Sequence, residues 1–179
     1  MIQINNELRD KCYQIACNNG FHDKEYSDEH WLMLIITEIS EAVEADRKGK
    51  HASINSFKEF TEKNTLLCDA CFEADIKDSL EDELADVAIR ILDLSGLRNI
   101  DITSYTITPI GLIPFSPFTD FAYSLCHCLS SDGELLIKLR VTFSWIKEYC
   151  DMNNIDLLKH IELKMKYNEA RANLHGKKY

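Results

Sequence analysis

Apolar residues recur along this chain mostly at helical spacing, three and four residues apart. Leu8, Cys12, Ile15 and Ala16 place one apolar face on a helix from Asn5 to Asn19, and Gly20 is suited to end it in a left-handed turn. Ser27-Asp28-Glu29 opens a long helix to about Lys48, with Ser27 or Asp28 as its N-cap and Gly49 as its terminator. Arg47 and Lys48 in its last turn match the helix dipole. A short helix is expected near Ser53–Lys63, followed by a polar stretch. Asp78 or Ser79 then caps a second long helix that runs to about Ser95 and stops at Gly96.

Beyond it, Pro109, Gly111, Pro114 and Pro117 break residues 101–117 into a connection; only Ile100–Ile107 has any strand-like character. Ser116-Pro117 reads as an N-cap and first-turn pair for a helix to about Ser130. Asp132-Gly133 is a turn, Glu134 starts a helix to about Asp151, and Asp156 starts the last one, to near Asn173. The pattern predicts an all-α helical bundle. Asn99-Ile100-Asp101 and Asn154-Ile155-Asp156 both follow a long helix, which suggests an internally duplicated helix pair. That alignment lays Leu84 on Leu139 and Ile91 on Ile146, but Glu83 on Lys138 and Asp86 on Val141, so the second pair lacks the acids.

Those acids interrupt the apolar pattern where it is strongest. Trp31 to Ala45 reads WLMLIITEISEAVEA, and Leu80 to Leu94 reads LEDELADVAIRILDL. Glu38 and Glu41 form one i, i+3 pair; Glu83 and Asp86 form another. That spacing puts both side chains on one helix face. Carboxylates turned into a helix interface are costly unless compensated, and a hard divalent cation compensates several at once. Either pair alone is as readily a solvated face, and Glu81, Asp82 and Glu83 suit a helix N-terminus through the dipole. The order of two pairs on two apolar helices favours a metal site.

With 179 residues the chain makes one domain, and its formal net charge of −10 argues against a general nucleic-acid or membrane-surface binder. No apolar run is long enough for a membrane helix, and MIQINNELRDK lacks the pattern of a signal peptide. Seven cysteines then fit free thiols in a cytoplasmic protein. Cys68-x-x-Cys71 lacks a partner pair at zinc-site spacing, Cys126-His127-Cys128 lies in an expected helix where adjacent side chains diverge, and both are read as buried free cysteines. Neither a P-loop nor a nucleophile-elbow motif is present.

An E-x-x-E helix followed by an E-x-x-D helix resembles the MazG-like, all-α nucleoside triphosphate pyrophosphohydrolases. TEISEAVEADRKGK, DELADVAIRILDL and the C-terminal KMKYNEARANLHGKKY carry the resemblance, over roughly residues 27–100 and 155–179. The gap between Glu41 and Glu83 is longer than in compact members, and residues 102–153 look inserted. The resemblance implies Mg²⁺-dependent hydrolysis (Mn²⁺ as an alternative) of a nucleoside triphosphate to monophosphate and pyrophosphate, by a homodimer or dimer of dimers. It implies Glu38, Glu41, Glu83 and Asp86 as ligands, one of them a possible general base. Lys164, Tyr167, Asn168 and Arg171 share one face of the last helix and are the expected phosphate donors. His175, Gly176, Lys177 and Tyr179 are expected to close over the nucleotide, and Trp31, Phe21 or Tyr26 to stack on the base. The rival readings are another metal-dependent phosphohydrolase and a non-enzymatic helical adaptor.

Overall fold

The computed structural model describes residues 4–58, 69–102 and 117–169. It is all-α, with no strand among the described residues. The helices are α1 (Asn6–Asn18), α2 (Asp28–Arg47), α3 (Asp69–Asp75), α4 (Leu80–Leu97), α5 (Phe118–Ser130), α6 (Leu135–Met152) and α7 (Leu157–Glu169). A helical stretch also spans 54–58; the rest of the helix expected to Lys63, the proline-rich connection up to Ser116, and the tail from residue 170 lie outside the described residues.

Side-chain caps fix where the helices begin. Asn5 Oδ1 accepts from Leu8 N–H at 2.9 Å, Ser27 Oγ from His30 N–H at 3.4 Å, and Ser79 Oγ from Asp82 N–H at 3.2 Å. Asp156 Oδ1 accepts from Lys159 N–H at 3.0 Å and starts α7. Gly20 and Gly49 take the left-handed conformation at φ +78° and +61°, as their place after α1 and α2 demands.

Two expected boundaries are corrected. Pro117 is the N-cap of α5, at φ −72° and ψ 162°, rather than its first helical residue. Gly96 does not stop α4. The helix runs on to Leu97, and Asn99 at φ +51° makes the left-handed cap, with Ile100 N–H donating to Ser95 O at 2.8 Å. Asn154 does the same after α6: φ is +57° and Ile155 N–H donates to Cys150 O at 2.8 Å. The two Asn-Ile-Asp segments therefore share a helix ending. Gly96 has another reason to be glycine. A Cβ there would lie 2.6 Å from Tyr13 Cβ, so α1 crosses α4 too closely for any side chain.

α4 is the hub. It packs against α1, α2, α6 and α7, and α5 completes the bundle against α2 and α6. Twelve of its 18 residues are buried, Asp82, Glu83 and Asp93 among them, so the helix is enclosed on most sides and its acids are not an ordinary solvated face. Leu84, Ala88, Ile91 and Leu92 share one core with Ile35 and Ile39 of α2, Leu125 of α5 and Ile146 of α6. A smaller cluster, Phe57, Phe72, Ile76, Leu163 and Tyr167, seats α3 against α7.

The cysteines follow the same packing. Cys12, Cys71 and Cys150 are buried, Cys17, Cys126 and Cys128 half-buried, and all six are free; Cys68 lies outside the described residues. No helix of the described residues is long and apolar enough to cross a membrane.

Gly96→Ala is expected to destabilise the fold. Overpacking at such a contact costs about 1–3 kcal/mol, against a helix-propensity gain of at most ~1 kcal/mol. The urea midpoint should fall; an unchanged or higher midpoint would show that Tyr13 can retreat.

His160 on α7 gives a pH signature. It is 4 % exposed, its Nδ1 has no hydrogen-bond partner, and burial lowers its pKa below 6.5. The unfolded chain therefore binds the proton more readily, and the neutral-histidine contribution to stability is lost as pH falls from above 6.5 through the folded pKa. Thermal melts of wild type and His160→Gln between pH 7.5 and 5.5 should diverge, with the wild type losing more stability on acidification. Parallel curves would remove His160 from the balance.

Candidate metal centre and its cavity

The crossing of α2 over α4 decides which acids meet. Glu38 projects from α2 in phase with Ile35 and Ile39, whereas Glu83 and Asp86 project from the opposing side of α4. One carboxylate oxygen from each of Glu38, Glu83 and Asp86 lies within 4.8 Å of the other two. They line a cavity of about 340 Å³ that reaches between α1, α2, α4 and α7. Glu41, one turn along α2, is exposed and lines the same cavity without joining the tight cluster.

Two cations from within the fold hold part of this charge. Arg90, one turn after Asp86, donates through Nε to Glu38 and lies 5.9 Å over the Phe21 ring. Burial raises the Glu38 pKa, and the Arg90 guanidinium opposes that rise. Lys164 reaches in from α7 and sits 2.7 Å from both Asp82 Oδ2 and Asp86 Oδ2, with its side chain only 6 % exposed. Burial disfavours its charge, but Asp86 and Asp82 outweigh burial and hold it protonated. Asp82 is itself 1 % exposed and is pushed up to about 6 by burial despite that ammonium.

Glu83 has no such partner. Its Oε2 is buried without a hydrogen bond, and burial first, then the Asp86 charge, pushes its pKa up to about 8. An orphaned carboxylate oxygen beside two further carboxylates could hold a metal ion, and such hard oxygen donors would suit a divalent cation of the Mg²⁺ or Mn²⁺ type. The cysteines take no part in any such cluster among the described residues.

The expected phosphate-binding face of the last helix divides. Lys164 and Asn168 line the cavity, but the Lys164 ammonium is committed to the two aspartates. The Tyr167 hydroxyl donates to Glu73 Oε1 at 2.8 Å and its ring stacks on Phe72, centroids 4.5 Å apart, so it belongs to the small core and not to the cavity wall. Arg171, His175, Gly176, Lys177 and Tyr179 lie outside the described residues. Trp31 is 5 % exposed, packed by His22, Tyr26 and His30, and lines a separate cavity of about 270 Å³ together with Tyr26. Phe21 is the one of the three proposed stacking rings on the acidic cavity.

Several charged groups escaped the sequence reading. Asp82, read as an acid favoured by the helix dipole, is Lys164's buried partner. Arg90 compensates Glu38, and buried Asp93 pairs with His22 Nε2 at 2.7 Å. A signal was there: Glu83, Asp86, Arg90 and Asp93 continue one stripe at three- and four-residue spacing along an otherwise apolar helix. No family model, no curated protein and no solved structure matches this chain.

Glu83→Gln should raise the melting temperature of metal-free protein at pH 8.5 and shrink the upward shift produced by Mg²⁺. Relief of about 1 kcal/mol corresponds to roughly 2–4 °C at this chain length. A variant that melts lower and keeps the full Mg²⁺ shift would exclude Glu83 as a ligand.

Proposed function

We propose that the protein hydrolyses a nucleoside triphosphate to the monophosphate and pyrophosphate with Mg²⁺, or Mn²⁺ in its place, as the MazG-like enzymes it resembles do. One observation carries the reading: Glu38, Glu83 and Asp86 converge on the wall of a cavity, and a Glu83 carboxylate oxygen is left there without a hydrogen bond.

In this reading Glu38, Glu83 and Asp86 hold the cation. When bound, the cation neutralises charge on the triphosphate and lowers the pKa of the attacking water. Arg90 and Lys164 fix the direction of the Glu38 and Asp86 carboxylates. Lys164 is thus a positioning residue, and Asn168 on the cavity wall remains a substrate contact. Water attacks the α-phosphorus, the α–β bridging bond breaks, and pyrophosphate leaves with that oxygen. Glu41, exposed on the cavity wall and outside the cluster, accepts the proton that water releases.

A cytoplasmic homodimer or dimer of dimers is part of the same proposal. Free cysteines accord with a reducing compartment. Exposed Met33, Tyr123, Ile137 and Met152 offer apolar contact to a second copy.

Purified protein with a panel of ribo-, deoxyribo- and modified nucleoside triphosphates should release pyrophosphate only with Mg²⁺ or Mn²⁺ present. Glu38→Ala and Asp86→Ala should each lower the rate at least ~100-fold while circular dichroism stays helical. Diphosphate and orthophosphate as products would establish a different phosphohydrolase. A silent panel, or a near-normal Glu38→Ala, would overturn the assignment.

A further inference from the structure

The cavity is far richer in carboxylates than in available positive charge. Glu38, Glu41, Glu83, Asp86 and Asp93 all line it. Arg90 is held by Glu38, and Lys164 by Asp82 and Asp86. The remaining cation on the wall is Lys77, which is half-buried and makes no ion pair among the described residues.

The backbone of Lys77 is fixed although its ammonium is not. It lies in the turn between α3 and α4. Its own N–H donates to Phe72 O at 2.8 Å, and Ile76, directly before it, is 1 % exposed in the small core. Asp78, directly after it, sits at φ +57°, and its N–H donates to Asp82 Oδ2 at 3.0 Å, the oxygen that also receives Lys164. Leu80 N–H donates to Lys50 O at 3.0 Å and closes the turn. The turn is therefore tied to the same buried aspartate that anchors Lys164. A flexible side chain on a pinned backbone, facing an acidic cavity with no ion-pair partner among the described residues, is arranged to receive an anion carried in from outside.

We propose that Lys77 binds the phosphate chain of the substrate and is its principal cationic contact on the described cavity wall. This rests on the phosphohydrolase reading for the identity of the anion. The sequence pattern did not single out Lys77, because a lysine in a polar turn is ordinarily just solvated.

The test uses the full-length protein with inorganic tripolyphosphate and Mg²⁺, measured by calorimetry, beside the nucleotide assay. Lys77→Ala should weaken tripolyphosphate binding about tenfold, the usual scale for one lost charge-assisted contact. It should raise KM for the nucleotide and leave the Mg²⁺-induced melting shift intact. Lys77→Arg should restore most of the affinity, which a merely structural role for the side chain would not require. Equal tripolyphosphate affinity in wild type and Lys77→Ala overturns the proposal, even if the wild type hydrolyses nucleotides. Tripolyphosphate binding that depends on Lys77 in a protein that hydrolyses none sustains it and rejects the hydrolase. A wild type that neither binds tripolyphosphate nor turns over any nucleotide overturns both.

Discussion

Charge buried in a helix interface must be compensated, and in this protein the compensation is deliberately incomplete. Glu38, Asp82, Glu83 and Asp93 are buried in the helix packing, and Asp86 is half-buried beside them. Arg90 and Lys164 are the permanently charged groups sent in to meet them, and His22 meets Asp93. A buried carboxylate left alone costs several kcal/mol, so a fold selected for stability alone would replace Glu83 with an apolar residue of similar size. In the proposed function, keeping it would leave a place for positive charge from outside. That imbalance, rather than the mere count of acids, separates this cluster from a structural ion network.

The same constraint explains why the site and the core cannot be told apart on α4. Val87 and Ala88, with no exposed surface, lie directly after Asp86, and Leu84 lies between Glu83 and Ala85. A helix wrapped on nearly every side carries its acids on a rigid rod, so the carboxylates hold their spacing without help from loops. Lys164 then links α7 to that rod through Asp82 and Asp86. The α1 crossing at Gly96 and the paired turn at Asp78 bring the cavity's other walls to fixed positions. Packing precision far from the acids thereby sets the geometry of the acids.

How much of this was legible in the sequence follows from which signals are local. Helix starts at Ser27 and Ser79 could be read because capping is chemistry between a residue and its neighbours three positions on. The inward face of α2 and α4 could be read because apolar period fixes phase. Gly96 was misread because its cause, Tyr13, lies on another helix. Lys164 was expected to meet phosphate, and nothing local says that α7 would place it between two aspartates. Glu41 and Tyr167 show the limit of i, i+3 reasoning. Shared phase puts two residues on one face, but the depth of the neighbouring helix decides which of them is buried and which is left at the cavity mouth or in a different core.

The separation of Trp31 from the acids bears on how a nucleotide would lie. Trp31 and Tyr26 face the second cavity, while Phe21 faces the first with Arg90 above its ring. His22 lines the second cavity, Asp93 the first, and their 2.7 Å contact stands between the two. A base stacked on Trp31 would therefore be divided from the proposed phosphate site by the buried His22–Asp93 hydrogen bond. Breaking that pair would strand Asp93, whose carboxyl burial already raises in pKa and which relies on His22 as its nearest compensation. For the proposed nucleotide the less costly arrangement would keep the whole ligand in the acidic cavity, with Phe21 as the apolar surface for its base and Arg90 reaching from that ring to Glu38 of the carboxylate cluster.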